Sequence, residues 1–260
     1  MRILNVKDLH FSYGKTEVLK GVSMEFYQGT FYGIIGPNGC GKSTLLRNLY
    51  GYLTPSSGNV SIFDMNIRSM KARQRAKYIA YVPQETFTGF DFTVYDVIAM
   101  GRNPYHTGLQ PMTKEDHDKI IEAMEETSTL HLKDKSINQL SGGEKQRAIL
   151  ARAFAQDSEI ILLDEPVSML DINHQIEIMD LAKSLADRKY RTIICVLHDL
   201  NLAAQYAQHI FLMSDGHLAK SGMPDDVLIE NVLEPVYGVD VDININKNTG
   251  LKTIVPLSRR

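Results

Sequence analysis

The feature that most constrains the fold of this chain is a glycine-containing loop between an apolar strand and a helix. The run Phe31–Ile35 leads into Gly36-Pro37-Asn38-Gly39-Cys40-Gly41-Lys42-Ser43, followed by Thr44, and this loop matches the pattern G-x-x-x-x-G-K-[ST]. Glycines let the backbone turn tightly enough to bring its N–H groups to phosphate oxygens. Lys42 would reach the β- and γ-phosphates, and the Ser43 hydroxyl would bind Mg²⁺. The pattern predicts a nucleotide site at the end of a buried strand.

A second glycine-containing run lies far downstream, Leu140-Ser141-Gly142-Gly143-Glu144-Lys145-Gln146-Arg147. We expect a helix to begin near Glu144, with the N–H groups of Ser141, Gly142 and Gly143 exposed just ahead of it. N–H groups at the positive end of a helix attract an anion such as phosphate. The chain is therefore predicted to carry two phosphate-binding surfaces.

Composition limits the classes of protein to which these loops can belong. The chain has 260 residues, of which 43% are hydrophobic and 23% are charged, and its net charge is −3. This balance is typical of a soluble globular protein of one or two domains, and it argues against a dominant nucleic-acid-binding surface. No apolar stretch approaches the roughly 20 residues of a spanning helix, and we expect no signal peptide. Two cysteines, Cys40 and Cys195, favour a reduced, cytoplasmic setting.

Apolar strand patterns alternate with helical patterns along the chain. The predicted strands lie within residues 2–32 and at 31–35, 60–63, 79–82, 160–163 and 193–197. Helices are predicted at 42–50 and 172–189, and the middle, roughly 87–155, has a helical pattern with capping-box starts at Thr93 and Thr113. The alternation predicts an α/β fold with a mostly parallel sheet covered by helices.

The strand predicted at 160–163 ends in two carboxylates, Asp164 and Glu165. Such a pair is costly to bury unless the charges meet a cation or take part in chemistry. We therefore predict that Asp164 holds Mg²⁺, directly or through water, and that Glu165 polarises the attacking water as a general base.

Four further residues are candidates for the same site. His198 ends one predicted strand, where we expect contact with the γ-phosphate, and Gln84 ends another, where its amide could bind Mg²⁺ or orient water. Asp171 is placed to cap the helix that follows it, a role compatible with a functional one. Cys40 lies inside the loop before a helix, a position that favours the thiolate form.

These motifs together resemble the ATPase subunits of ABC transporters, and the resemblance covers nearly the whole chain. The similar motifs are Walker A at 36–43, Walker B at 160–165 with its catalytic Glu165, the Q-loop at Gln84, the signature motif at 140–147, the D-loop at 168–171, the switch histidine at His198, and the adenine-stacking aromatic residue at Tyr13. The resemblance implies a P-loop ABC-type ATPase core with an antiparallel β edge and a helical subdomain insertion. A single ABC ATPase domain would span 1–260, with 1–86 and 156–260 as the α/β core and β subdomain and 87–155 as the helical subdomain.

The resemblance also implies how ATP and Mg²⁺ would be bound. ATP on residues 36–44 and Tyr13 of one subunit would be closed over by Ser141, Gly142, Gly143 and Glu144 of a second copy, with Asp171 at the same interface. Since one chain supplies one Walker A and one signature motif, a two-fold homodimer is implied. The helical region near 87–105 would transmit the motion to integral-membrane permease subunits at the cytoplasmic face of the membrane.

A narrower resemblance lies outside the ATP motifs. The stretch 93–105, which contains Gly101-Arg102-Asn103-Pro104, is similar to the importers of iron–siderophore complexes, haem and cobalamin, as are 197–204 and the tail near Tyr237. This branch works indirectly with a substrate-binding protein, and no nucleic acid is expected. Three other functions remain open: an ABC exporter ATPase, a non-transport ABC ATPase of DNA repair or translation, and a small-molecule P-loop kinase.

Overall fold

The computed structural model describes residues 1–84, 91–107 and 111–259. The chain divides into two compact units, Met1–Ser69 with Thr192–Arg260, and Met70–Arg191. The strands are β1 (Arg2–Tyr13), β2 (Thr16–Tyr27), β3 (Phe31–Ile35), β4 (Ser57–Ile62), β5 (Met65–Asn66), β6 (Ile79–Val82), β7 (Ile160–Asp164), β8 (Thr192–Val196), β9 (His209–Ser214), β10 (His217–Gly222), β11 (Val239–Ile245) and β12 (Lys252–Arg259). The α-helices are α1 (Lys42–Leu49), α2 (Ala72–Arg75), α3 (Val94–Ala99), α4 (Lys114–Glu126), α5 (Gly142–Ala155), α6 (Ile172–Lys189), α7 (Leu200–Tyr206), α8 (Pro224–Val227) and α9 (Glu230–Tyr237). Short 3-10 helices lie at Ile67–Ser69, Met100–Tyr105, Leu130–Leu132 and Ile137–Gln139.

The first unit is built around the buried strand β3. This strand lies between β8 and β9 and is parallel to both, and β10 pairs antiparallel with β9. A separate antiparallel sheet has the order β2-β1-β4-β5, and β11 and β12 form a hairpin. Every residue of β3 is buried, as expected for a parallel strand covered on both faces. The loop after β3 therefore starts from a fixed position.

In the second unit, β6 and β7 pair in parallel, with Ile79 opposite Ile160 and Val82 opposite Leu163. This register places the carboxyl ends of the two strands side by side. Gln84, just after β6, and Asp164, at the end of β7, therefore lie at the same edge.

Two helices of the second unit, α3 and α4, begin where the sequence predicts. Thr93 caps α3 by accepting a hydrogen bond from the N–H of Asp96, and Thr113 caps α4 by accepting one from the N–H of Asp116. Val97 and Ile98 of α3 and Ile120 and Met124 of α4 are buried, and α5 packs against both helices. Both capping predictions are confirmed.

The predicted α/β fold is confirmed by these parallel strands and intervening helices, and β6 and α6 have the predicted bounds. Residues 85–90 and 108–110 lie outside the described residues, and with them part of the stretch 87–155. The boundaries of the helical subdomain stay a prediction. Within the described ranges, no helix combines the length and the apolar character needed to cross a membrane.

Candidate nucleotide site

The phosphate loop of the first unit joins β3 to α1 with a backbone that requires glycine. Gly36 has a φ of 148°, and a Cβ built there would lie 2.2 Å from the carbonyl oxygen of Met213. Gly41, the N-cap of α1, has a φ of 101° and no side-chain cap. The first N–H groups of α1 are thus left without a capping side chain, and the first turn has no acidic residue. This is the local chemistry of an anion site.

Lys42 lies at the centre of this loop. Its side chain is buried, and Nζ donates hydrogen bonds to the carbonyl oxygens of Gly36 at 2.8 Å and Pro37 at 3.0 Å. Asn38 and Gly39 are exposed at the tip of the loop, while Ser43 and Thr44 belong to the first turn of α1. The ammonium group therefore holds the loop in shape and supplies positive charge where phosphate is predicted.

The expected thiolate at Cys40 is wrong. The side chain is 4% exposed, and a Cβ built at Gly36 would lie only 2.9 Å from its Sγ, so the sulfur points under the loop. Burial raises the pKa of the Cys40 thiol despite the nearby charge of Lys42. Burial raises the pKa of the Tyr237 phenol as well, which lies beside Gly36 and Cys40. Cys40 is a packing residue of the loop, and Tyr237 is a support that the sequence did not reveal.

Tyr13 and His198 are the other predicted site residues of the first unit. The Tyr13 ring packs edge-on against Phe11, with centroids 4.8 Å apart, and it is 47% exposed. Such a ring has surface left for stacking on a base. His198 is exposed two residues after the end of β8, and the following Asp199 caps α7 by accepting from the N–H of Asn201 at 2.7 Å.

In the second unit, Asp164 ends β7 with a side chain that is almost fully buried. The residue is 2% exposed, and its Oδ2 accepts a hydrogen bond from the Tyr81 hydroxyl at 2.9 Å. A buried carboxylate needs such a donor. The Tyr81 contact joins β6 to β7, and no local pattern in the sequence signals it.

Glu165 follows with an uncommon backbone conformation. Its φ is 53°, in the left-handed region that non-glycine residues rarely adopt. Its carbonyl oxygen accepts from both the N–H and the hydroxyl of Ser168, at 3.3 and 3.2 Å. Its carboxylate Oε2 accepts from Gln84 Nε2 at 2.6 Å. The structure thus brings together the two predicted catalytic side chains of this unit.

The signature helix begins earlier than predicted. Helix α5 starts at Gly142, and Ser141 is its N-cap, so the glycines lie inside the first turn rather than ahead of the helix. The N–H of Ser141 is taken by the Glu144 carboxylate at 2.9 Å, and these contacts lower the pKa of Glu144. The prediction of three exposed N–H groups was therefore wrong for Ser141. The N–H groups of Gly142 and Gly143 remain as helix-start donors.

Asp171 caps α6 as predicted. Its Oδ1 accepts from the backbone N–H of His174 at 3.0 Å, and its Oδ2 lies 2.8 Å from His174 Nδ1. These hydrogen bonds lower the pKa of Asp171. The imidazole of His174 lies against Gly143, where a Cβ would meet its Cδ2 at 2.3 Å. Sequence reasoning missed His174, which connects two of the predicted motifs.

Comparisons with known proteins agree with this set of motifs. A family model described as ABC transporter matches residues 19–168. The ferric enterobactin transport ATP-binding protein FepC of Escherichia coli (strain K12) is 38% identical over 256 residues, which cover 98% of this chain and 94% of FepC.

Solved structures give the same result. An ABC transporter of the metal-chelate type, in an inward-facing conformation, has a TM-score of 0.87 and 26% identity, with 99% of this chain and 98% of that chain covered. The bacterial ABC transporter cassette MJ0796, solved as a dimer, has a TM-score of 0.76 and 27% identity, with 85% of this chain and 99% of that chain covered. The predicted ABC-type ATPase fold is confirmed. The chain belongs to the ABC transporter family, as an ATP-binding protein that hydrolyses ATP.

Proposed function

We propose that the chain powers the import of an iron chelate, of the ferric siderophore kind, through a membrane permease. The observation that carries this proposal is the similarity to the ferric enterobactin protein FepC, which extends over 98% of this chain. The match covers 256 residues and therefore extends well beyond the ATP motifs. The ATPase itself would bind the permease at the cytoplasmic face of the membrane, and a substrate-binding protein would deliver the chelate.

ATP would be bound between two copies of the chain. The phosphate loop of one copy offers Lys42 and the start of α1, and the signature helix of the other offers the N–H groups of Gly142 and Gly143. Each of these surfaces presents backbone N–H groups at the start of a helix. A triphosphate has enough negative charge to bind both sets of N–H groups. The dimeric state of the similar cassette MJ0796 supports this arrangement.

We propose that Mg²⁺ binds together with ATP. The Ser43 hydroxyl, the Asp164 carboxylate and the Gln84 amide all offer oxygen, which this hard cation prefers, and Mg²⁺ at nucleotide sites is held by one or two carboxylates together with phosphates. Asp164 is 2% exposed, so a cation would compensate a charge that is otherwise costly to bury. The bound ion would neutralise charge on the β- and γ-phosphates.

Hydrolysis would depend on positioning and charge more than on covalent chemistry. Lys42 would bind the phosphates, and Glu165 would accept a proton from the attacking water. Gln84 would orient the Glu165 carboxylate, to which it donates at 2.6 Å. His198 would contact the γ-phosphate from the end of β8. Loss of that phosphate would remove the bridge between the two copies.

The separation of the two copies would move the permease. We propose that the region near 87–105, which follows Gln84 in the sequence, transmits the separation of the two copies to the permease. The 3-10 helix Met100–Tyr105 is held firmly, since Arg102 donates to Asp116 at 2.9 Å and to the Ala155 carbonyl oxygen at 2.7 Å. A firmly held segment can transmit force without bending.

Uptake by a strain that lacks the chain tests the proposal. Restoring the wild-type chain should restore uptake of a radiolabelled ferric catecholate siderophore, and restoring the Glu165→Gln variant should not. Labelled haem and cobalamin serve as parallel substrates. If uptake of haem or cobalamin alone is restored, the cargo is that compound and not a siderophore. Accumulation of label in the strain that lacks the chain would indicate an exporter.

A further inference from the structure

The two glycines of the signature helix differ in why glycine is needed. Both have ordinary helical backbones, since neither is among the described residues with positive φ. A Cβ at Gly142 would meet only Leu170 Cδ2 at 3.8 Å, an ordinary contact. A Cβ at Gly143 would lie 2.3 Å from Cδ2 and 2.8 Å from Nε2 of His174. The chain itself thus excludes a side chain at Gly143 but tolerates one at Gly142.

The imidazole that fills this space cannot move aside freely. His174 Nδ1 lies 2.9 and 2.8 Å from the two carboxylate oxygens of Asp171, and its backbone N–H donates to the same carboxylate at 3.0 Å. Asp171 is in turn fixed as the N-cap of α6. Turning the ring away from Gly143 would break the hydrogen bond to Asp171.

A second contact lies one helical turn further along the same pair of helices. Arg147, four residues after Gly143, donates to Glu177 Oε2 at 2.9 Å, and Glu177 lies three residues after His174. Residues at these spacings share one face of a helix. The face of α5 that begins at Gly143 is therefore joined to the face of α6 that begins at His174.

The loop that precedes α6 is held by a side chain of α6 itself. Gln175 Nε2 donates to the carbonyl oxygen of Leu170 at 2.9 Å, and the Leu170 side chain is the neighbour of Gly142. The residues 168–171 and the start of α5 therefore form one packed body.

We propose that His174 is a positioning residue that joins the Asp171 carboxylate to the signature helix at Gly143, so that the D-loop and the signature N–H groups move as one body when two copies close on ATP. Position 143 is glycine because the His174 ring occupies its side-chain space. Position 142 is glycine because of what approaches it from outside the chain. The inference rests on the proposed two-copy site, in which this body would close on the ATP bound by the other copy.

The test combines substitutions at the two glycines with removal of the ring. Gly143→Ala should lower kcat by about tenfold or more, with little change in KM, because overpacking displaces the ring and the helix start. Gly143→Ala combined with His174→Ala should return kcat to the level of His174→Ala alone. Gly142→Ala should lose turnover whether residue 174 is His or Ala. If the double variant at 143 and 174 stays as slow as Gly143→Ala, the steric assignment of Gly143 is overturned.

Two further measurements separate packing from function. In the absence of ATP, the thermal midpoint should fall for Gly143→Ala, recover when His174→Ala is added, and stay unchanged for Gly142→Ala. If the wild type forms no ATP-dependent dimer while these midpoints follow the pattern, the proposed two-copy site fails and the packing assignment stands. His174→Asn, whose amide can still donate to Asp171, should keep more of the wild-type kcat than His174→Ala. Equal kcat in these two variants and the wild type would show that His174 does not position the site.

Discussion

Gln84 Nε2 donates a 2.6 Å hydrogen bond to the carboxylate of Glu165. The two residues lie just beyond the ends of the paired strands β6 and β7. The nitrogen must be the atom that faces Glu165, because the amide oxygen would be repelled by the carboxylate. This contact orients the carboxylate of the proposed general base.

Glu165→Gln should bind ATP normally yet hydrolyse it at least about a hundredfold more slowly, because an amide cannot accept the proton of the attacking water. The substitution keeps an oxygen that can accept from Gln84, so the fold should be unchanged. Single-turnover hydrolysis and ATP-dependent dimer formation are the measurements. Near-normal hydrolysis would remove Glu165 as the base.

Gln84→Ala should lower kcat by about ten- to a hundredfold, the effect of losing one hydrogen bond to a charged group. Affinity for ATP in the absence of Mg²⁺ should change little, because Gln84 contacts the Glu165 carboxylate, whereas affinity for the Mg²⁺ complex should fall with the loss of the proposed amide ligand. Gln205→Ala, on the exposed side of α7, is the matched control and should behave as wild type. A Gln84→Ala enzyme with wild-type kcat would show that the hydrogen bond has no role in positioning Glu165.

Lys42→Ala should lose most of the affinity for ATP, by about a hundredfold, because it removes a charge-assisted contact to phosphate and two hydrogen bonds that shape the loop. Equilibrium binding of a fluorescent ATP analogue measures this. Lys7→Ala changes an exposed lysine of the same unit and should leave binding unaffected. Equal affinities for all three proteins would contradict the assignment of the loop.

The buried ion pair between Arg102 and Asp116 predicts that the free energy of unfolding depends on pH. Burial alone would raise the pKa of Asp116, but hydrogen bonds from Thr113 and Arg102 outweigh it and hold the pKa well below the usual range. The unfolded chain has an ordinary aspartate pKa of about 3.9. The stabilisation is therefore fully present above about pH 5 and is lost progressively as the pH falls below it.

Asp116→Asn should consequently lower the free energy of unfolding at pH 7 by about 2–3 kcal/mol, since it leaves Arg102 buried without its carboxylate. It should also flatten the loss of stability between about pH 5 and pH 3. Urea unfolding across this range is the measurement, and Asp118→Asn on the exposed face of α4 is the control. Identical pH profiles for the wild type and Asp116→Asn would contradict the account.

Local patterns predicted most of the elements that carry the site. The apolar run at Ile79–Val82 and the caps at Thr93, Thr113 and Asp171 are read from a few neighbouring residues, and each is found where predicted. These signals depend on local hydrogen bonding and on periodicity, which a sequence displays directly.

The remaining features depend on contacts between distant residues. The thiol of Cys40 was expected to be ionised from its place before α1, but its pKa is set by burial under the loop. The contacts of Tyr81 with Asp164 and of Gln84 with Glu165 join separate strands. The start of α5 could have been predicted, because Ser141 and Glu144 have capping-box spacing, which the adjacent glycines obscured.

In the proposed dimer, the phosphate loop and the signature helix would act on one ATP from different copies of the chain. Two inactive double variants test this arrangement directly: Lys42→Ala with Glu165→Gln, and Ser141→Arg with Glu165→Gln. In a mixed pair, the intact phosphate loop of the Ser141→Arg variant faces the intact signature helix of the Lys42→Ala variant. A pair of two identical variants contains no site with both parts intact. Sedimentation with ATP should show that neither variant associates alone and that the mixture forms dimers with one ATP per pair. A mixture that stays monomeric under conditions where Glu165→Gln alone dimerises would contradict the claim.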